Sequence, residues 1–228
     1  EFPSADDDTA IPMELERAAI NREVAISASA PIVWGVDVAR FGGDNSALCV
    51  RQGNTVLEIK TFNSMDLMQL CGAIKNKYDN ETVMSKPQEI LVDVIGLGSG
   101  VVDRLAEQNL PVRGVNVAES PATNKNFLNL RAELWFAIKD WLAQRDCRLP
   151  HDDELVSELV APMYKYTSTG KIKLEAKEEM KKRGIKSPDK ADALALTMAS
   201  SAASFSGSQT FMGYNFKKPL KSRILRVG

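Results

Sequence analysis

The sequence is poor in the side chains that most metal and nucleophilic chemistry uses. It has one histidine, His151, so a zinc site built on several histidines is excluded, as is any Ser-His-Asp triad that does not use that residue. The three cysteines, Cys49, Cys71 and Cys147, are odd in number and far apart. They read as reduced, packed thiols of a cytosolic compartment and not as a disulfide framework. No apolar run reaches the ~18 residues that a membrane span needs, and no charged-then-apolar signal segment opens the chain. There is no G-x-x-x-x-G-K-S/T phosphate loop. The chain starts on Glu1-Phe2 without a methionine, which reads as a fragment of a longer protein. What remains is ordinary for a globular protein: 228 residues, 44% hydrophobic and 26% charged. That suits one domain with appendages and excludes collagen-like and disordered classes.

The net charge of −1 is unevenly spread. Residues 1–30 carry two basic against seven acidic side chains, a net −5. Residues 165–190 carry nine Lys/Arg against four acids, a net +5. The tail from Lys217 to Arg226 adds five basic residues and no acid. Such a segment can hold a polyanion locally, although a solvated face would look the same.

Periodicity predicts a short helix over about 12–22, then a continuous apolar strand, Ile32 to Ala39, with one acid near its end. Turn chemistry at Arg40–Asn45 leads to a strand over Ser46–Arg51, and Gln52-Gly53-Asn54 leads to another over Thr55–Phe62. These three make an antiparallel meander. Helix and strand then alternate: a helix at 65–78, a strand at Ile90–Ile95, a helix at 99–109, a strand at Val112–Val117 and a long helix at 126–144. Long crossovers imply parallel pairing of the first, fourth and fifth strands. The fold class is therefore α/β, a mixed sheet with helices on both faces. A short helix at 152–160, a hairpin turning at Thr167–Gly170 and a basic helix at 175–182 follow. The last helix is expected to start with Ser187 as N-cap and Pro188 at the first helical position, and to run to about 203.

Three acids stand out by position. Asp37 and Asp93 each lie inside an otherwise buried strand, where an unpaired carboxylate costs several kcal/mol. Both sit near the C-terminal ends of parallel strands, the edge where open α/β sheets bind ligands. Asp192 lies one turn into an alanine-rich helix whose small side chains allow a close approach to the sheet. Three converging carboxylates without histidine suit hard cations, Mg²⁺ or Mn²⁺, and two such ions about 4 Å apart can clamp a phosphodiester. For any one acid alone, an ion pair or a capped turn explains it better. Asp44 is a weaker fourth candidate, since an Asp in Gly42-Gly43-Asp44-Asn45 also suits plain turn chemistry. The glycines of Gly96-Leu97-Gly98-Ser99-Gly100 imitate a dinucleotide loop, but Val101 stands where the third glycine would be. They read as a tight turn that keeps backbone near Asp93. Trp135 and Trp141 read as core, and His151 as a helix-start residue.

The segments Gly35–Asp44, Val92–Gly100, Gly170–Lys177 and Ser187–Leu194, in that order, resemble the ribonuclease H-like nuclease domain of the large terminase subunit of tailed bacteriophages. The resemblance covers about residues 31–203. It implies a divalent-metal-dependent endodeoxyribonuclease that cuts double-stranded, concatemeric viral DNA during genome packaging in the host cytoplasm. It carries metal ligation and catalysis onto Asp37, Asp93 and Asp192. It also implies an ATPase/translocase domain elsewhere in the full chain, with portal and small terminase subunit as partners, and no membrane. Residues 1–30 would be a linker or N-terminal helical extension, 31–204 the nuclease domain, and 205–228 a basic tail. Asp189 sits by a matching motif without a firm role. For DNA, the basic segment offers Lys171, Lys173, Lys177 and Arg183, with Lys171 and Lys173 on the strand face opposite Ile172 and Leu174. A junction resolvase of the same superfamily and a non-catalytic DNA-binding or docking module are the alternatives. An actin-like ATPase would need a second, duplicated half that 228 residues cannot hold.

Overall fold

The computed structural model describes residues 8–20, 22–39 and 45–201; Asp44 and the basic tail lie outside them. Strand β1 (Ile32–Asp37) is buried along its whole length. It pairs antiparallel with β2 (Ser46–Gln52), which pairs antiparallel with β3 (Thr55–Phe62). Helix α2 (Leu67–Asn80) crosses to β4 (Glu89–Asp93), and α3 (Gly98–Glu107) crosses to β5 (Val112–Val115). Both later strands join in parallel, giving the order β3-β2-β1-β4-β5. The expected meander and parallel strands are all present.

Side-chain alternation assigns the two faces. Trp34, Val36, Ile90 and Val92 pack with Leu70, Ile74, Val101 and Leu105 under α2 and α3. Val33 and Leu91 point the other way, and by the same period so do Gly35, Asp37 and Asp93. Val36 is paired with Val92, so the two acids stand one rung further along neighbouring strands. Their face is covered by α1 (Met13–Ile20), α4 (Leu130–Ala143), α5 (Asp153–Val160) and α7 (Asp189–Thr197). Between α5 and α7 lie the hairpin strands β6 (Tyr164–Tyr166) and β7 (Ile172–Leu174) and helix α6 (Lys177–Lys182).

Helix α7 lies across β1 because β1 is small where they cross. A Cβ on Gly35 would lie 2.0 Å from the Ala193 carbonyl oxygen. At the far end of α7, Arg51 is buried and donates from Nε to Thr197 Oγ1 (2.9 Å) and from Nη2 to the Thr197 carbonyl (2.8 Å). That capture of terminal helix groups ends α7 at Thr197, short of the expected 203. The start also differs from expectation. Pro188 is the N-cap, the Ser187 hydroxyl is buried without a hydrogen bond among the described residues, and the Glu158 carboxylate on α5 accepts the Ala191 N–H at 2.9 Å. The cap comes from another helix, which no local motif encodes. Helix α4 starts at Leu130, later than expected, because the Asn129 side chain caps it.

Residues 8–20 are packed onto the domain. Ala10, Ile11 and Ala19 are wholly buried. The Ala10 N–H donates to the Pro162 carbonyl and the Tyr164 N–H to that of Asp8, at 3.0 and 2.9 Å. The three cysteines are free thiols and buried. Among the described residues no helix is long and apolar enough to cross a membrane.

Candidate functional site

Asp37 ends β1, Asp93 ends β4, and Asp192 comes to the same edge on the first turn of α7. Together they line a cavity of about 480 Å³, with Asp189, Arg131, Lys173, Lys177 and Lys181 in its wall. Asp37 and Asp192 are buried. The turn after β4 holds its acid by contact. A Cβ on Gly98 would lie 1.6 Å from the Asp93 carbonyl oxygen, and the Asp93 Oδ1 accepts the Ile95 N–H at 3.1 Å. The glycines here form the tight turn beside Asp93 that their spacing predicts.

Lys177 stands among the acids. Its Nζ donates to Asp37 Oδ2 at 2.9 Å and lies 3.0 Å from Asp192 Oδ2 and 3.8 Å from Asp189 Oδ1. Burial raises the Asp37 carboxyl well above its ordinary range; Lys177 opposes this, and Asp192 and Asp189 reinforce it. Burial likewise raises Asp93, against the N–H groups of Ile95 and Val117 and against Lys177. Burial pushes Asp192 upward too, but Arg131, Lys177 and Trp135 outweigh it and hold that carboxyl below its usual value. Burial disfavours the Lys177 ammonium, yet Asp192 and Asp37 raise it above an ordinary lysine.

The remaining sequence candidates separate. Lys173 lines the cavity and lies 3.6 Å from Glu179, which is also 3.4 Å from Lys165. Lys165 and Lys173 are cross-strand partners, so both project from one hairpin face. Lys171 lies on β7's leading edge, half-buried and outside the cavity wall. Arg183 is a staple: it bonds both carboxylate oxygens of Glu175, at 2.8 and 2.5 Å, and the Ala161 carbonyl at 2.9 Å. Lys177 is turned into the acid cluster. Asp44 lies outside the described residues. Asp189 gains a contact, accepting the Asn45 N–H at 3.1 Å.

Sequence reasoning missed Arg131 and Trp135. Trp135 is indeed wholly buried in the core, but its Nε1 also donates to Asp192 Oδ1 at 2.8 Å. Arg131 adds two bonds to the same carboxylate. The one available signal was their spacing of four on a helix; nothing local says which acid they would meet.

The donor set fits a hard divalent cation. Its ligands would all be carboxylate oxygens, and the Lys177 ammonium already stands as a cation between two of them. Among the described residues no three carboxylates are drawn together into a finished metal cage. A metal ion and the ammonium would therefore compete for the same oxygens.

No family model and no curated protein sequence matches the chain. Solved structures do. A variant of the nuclease domain of the large terminase subunit gp2 of bacterial virus Sf6, solved with manganese and β-thujaplicinol, is 22% identical; the match covers 83% of this chain and 98% of that one, with a TM-score of 0.67. A calcium-bound form of a gp2 variant is 24% identical over the same shares, also at 0.67. The large terminase nuclease of thermophilic phage G20c with bound magnesium is 14% identical, over 86% of this chain and 98% of that one, at 0.61. At this low identity the matches show a shared fold: the chain folds like the nuclease domains of these phage large terminase subunits.

Proposed function

We propose that this chain is the nuclease domain of a tailed-bacteriophage large terminase subunit. In that reading it is a divalent-metal-dependent endodeoxyribonuclease that cuts concatemeric double-stranded DNA during genome packaging in the host cytoplasm. The observation that carries the reading is the convergence of Asp37, Asp93 and Asp192, from two adjacent strand ends and a crossing helix, on one cavity walled by lysines. Manganese, calcium and magnesium in the similar structures support it.

Asp37 and Asp93 would hold the cation first, with Asp192 completing the site. A pair of Mg²⁺ or Mn²⁺ ions, if bound there, would supply Lewis-acid stabilisation of the attacking and leaving oxygens. The protein's own part is positional. Gly35 and Gly98 set the approach of the acid-bearing elements. Lys177 compensates the carboxylates until a cation replaces it. Lys173, with Lys171 and Lys165, gives a basic face for phosphates beside an acidic centre that would otherwise repel them. Phosphate contacts position DNA and read no sequence. The full protein would add an ATPase/translocase domain and act with portal and small terminase subunit.

The test is plasmid cleavage. The purified chain should nick and linearise supercoiled plasmid in Mn²⁺ or Mg²⁺ with little sequence preference, and EDTA should abolish this. Equal cutting in EDTA would overturn the metal reading, and preferential cutting of a four-way junction over linear duplex would favour a resolvase.

A further inference from the structure

The three site acids differ in how much of each carboxylate the protein already uses. Asp192 takes Trp135 Nε1 at 2.8 Å and Arg131 Nε at 3.1 Å on Oδ1, and Arg131 Nη2 at 3.3 Å on Oδ2. Among the described residues, Asp37 takes only Lys177 on its carboxylate. Arg131 and Trp135 are one turn apart on α4 and therefore project side by side, with the guanidinium 5.7 Å from the indole centroid. Trp135 is wholly buried and the Arg131 side chain is 14% exposed, so neither is free to wander. Arg131 makes one more bond, from Nη1 to the Glu175 carbonyl at 2.8 Å. Glu175 lies two residues before Lys177, so one guanidinium ties α4 both to the α7 acid and to the arm that carries the lysine.

We propose that Arg131 and Trp135 are positioning residues that pin the Asp192 carboxylate, filling Oδ1 and sharing the cavity-side Oδ2 with Lys177, at the expense of metal affinity. The inference rests on the metal-dependent nuclease reading. A carboxylate whose charge is already shared with a guanidinium attracts a divalent ion less, and the guanidinium itself repels that ion. In return the oxygen is held still. Placement errors of about 1 Å can cost ~10²-fold in rate, so a fixed weak ligand serves catalysis better than a mobile strong one. The position requires a planar fork for two bonds to one carboxylate plus a third to a carbonyl, which arginine supplies and lysine does not.

The experiment compares Arg131→Met, Trp135→Phe and the parent by Mn²⁺ titration calorimetry without DNA, and by plasmid cleavage at saturating Mn²⁺. Arg131→Met should bind Mn²⁺ about threefold tighter or more while kcat falls about tenfold or more. Trp135→Phe, which keeps a ring in the same pocket, should lower kcat with Mn²⁺ affinity unchanged or tighter. It carries the test if Arg131→Met does not fold. Weaker Mn²⁺ binding in the folded variants, or an unchanged kcat, would overturn the proposal. The parent reading fails in a different way: the parent would then take up no Mn²⁺ and cut no DNA.

Discussion

Gly35 on β1 faces the Ala193 carbonyl of α7 so closely that a Cβ there would lie 2.0 Å from its oxygen, and 3.0 Å from Thr197 Cγ2. Backbone cannot yield as a side-chain tip can, so Gly35→Ala must push the helix off the strand. Overpacking of this kind costs about 1–3 kcal/mol. The expected outcome is a lower urea midpoint together with a loss of nuclease activity larger than the stability loss explains, because Asp192 moves away from Asp37. Full activity in a folded Gly35→Ala protein would show that the approach of α7 does not set the site.

Asp37→Asn should abolish cleavage and leave the metal-free protein as stable as the parent or more so. The reason is that burial already disfavours the Asp37 charge, so neutralising it removes a desolvation cost, and Lys177 retains Asp192 at 3.0 Å. Mn²⁺ should raise the Tm of the parent and not that of the variant, since a ligand at 100 times its Kd adds about 2.7 kcal/mol. A large drop in the variant's metal-free Tm would identify Asp37 as a structural ion-pair partner of Lys177.

The hairpin lysines should act through phosphates. Changing Lys171 and Lys173 together to Ala should weaken binding to all duplexes alike. It should also make the plot of log affinity against log salt shallower by about 0.9 for each lost contact. Fluorescence anisotropy across a salt series measures this. Lys173 also lines the cavity, so its loss alone should affect cleavage more than loss of Lys171 alone. An unchanged salt slope in the double variant would mean that the duplex approaches from another side.

Glu16 predicts a pH effect away from the site. It is wholly buried on α1, both its carboxylate oxygens are without a hydrogen bond among the described residues, and burial raises its pKa from 4.5 to about 7, with Arg17 opposing this and Glu14 adding to it. Between those values the unfolded chain has lost the proton and the folded chain keeps it. This group's contribution to stability therefore falls as pH rises from about 4.5 to 7 and is level above that. Its ceiling is about 3 kcal/mol at ~1.4 kcal/mol per unit. Glu16→Met should stabilise the protein more at pH 8 than at pH 5, read as urea midpoints. Equal gains at both would show that Glu16 titrates as an ordinary carboxyl.

Much of the architecture was legible in the sequence because it is written locally. Apolar runs such as Ile32–Ala39 and Ile90–Ile95 specify buried parallel strands by length and periodicity. An acid inside such a run is conspicuous for the cost of burying it. The alanines around Asp192 announce close packing before any partner is known. Helix ends were less legible: α7 is capped by Glu158 and stopped by Arg51, residues 33 and 146 positions away.

The sequence alone placed Asp37 and Asp93 near the C-terminal ends of neighbouring parallel strands of a mixed sheet, because strand direction and side-chain period follow from local pattern. Only the tertiary structure decided what surrounds each charge. It turned Lys177 inward onto Asp37, made Arg183 a staple for Glu175, and brought Arg131 and Trp135, 61 and 57 residues away in the chain, onto Asp192. The physical reason is range. Backbone geometry is set by neighbours a few residues apart, whereas the charge state and orientation of a buried carboxylate depend on donors within about 4–6 Å in space, and a sequence carries no record of that distance.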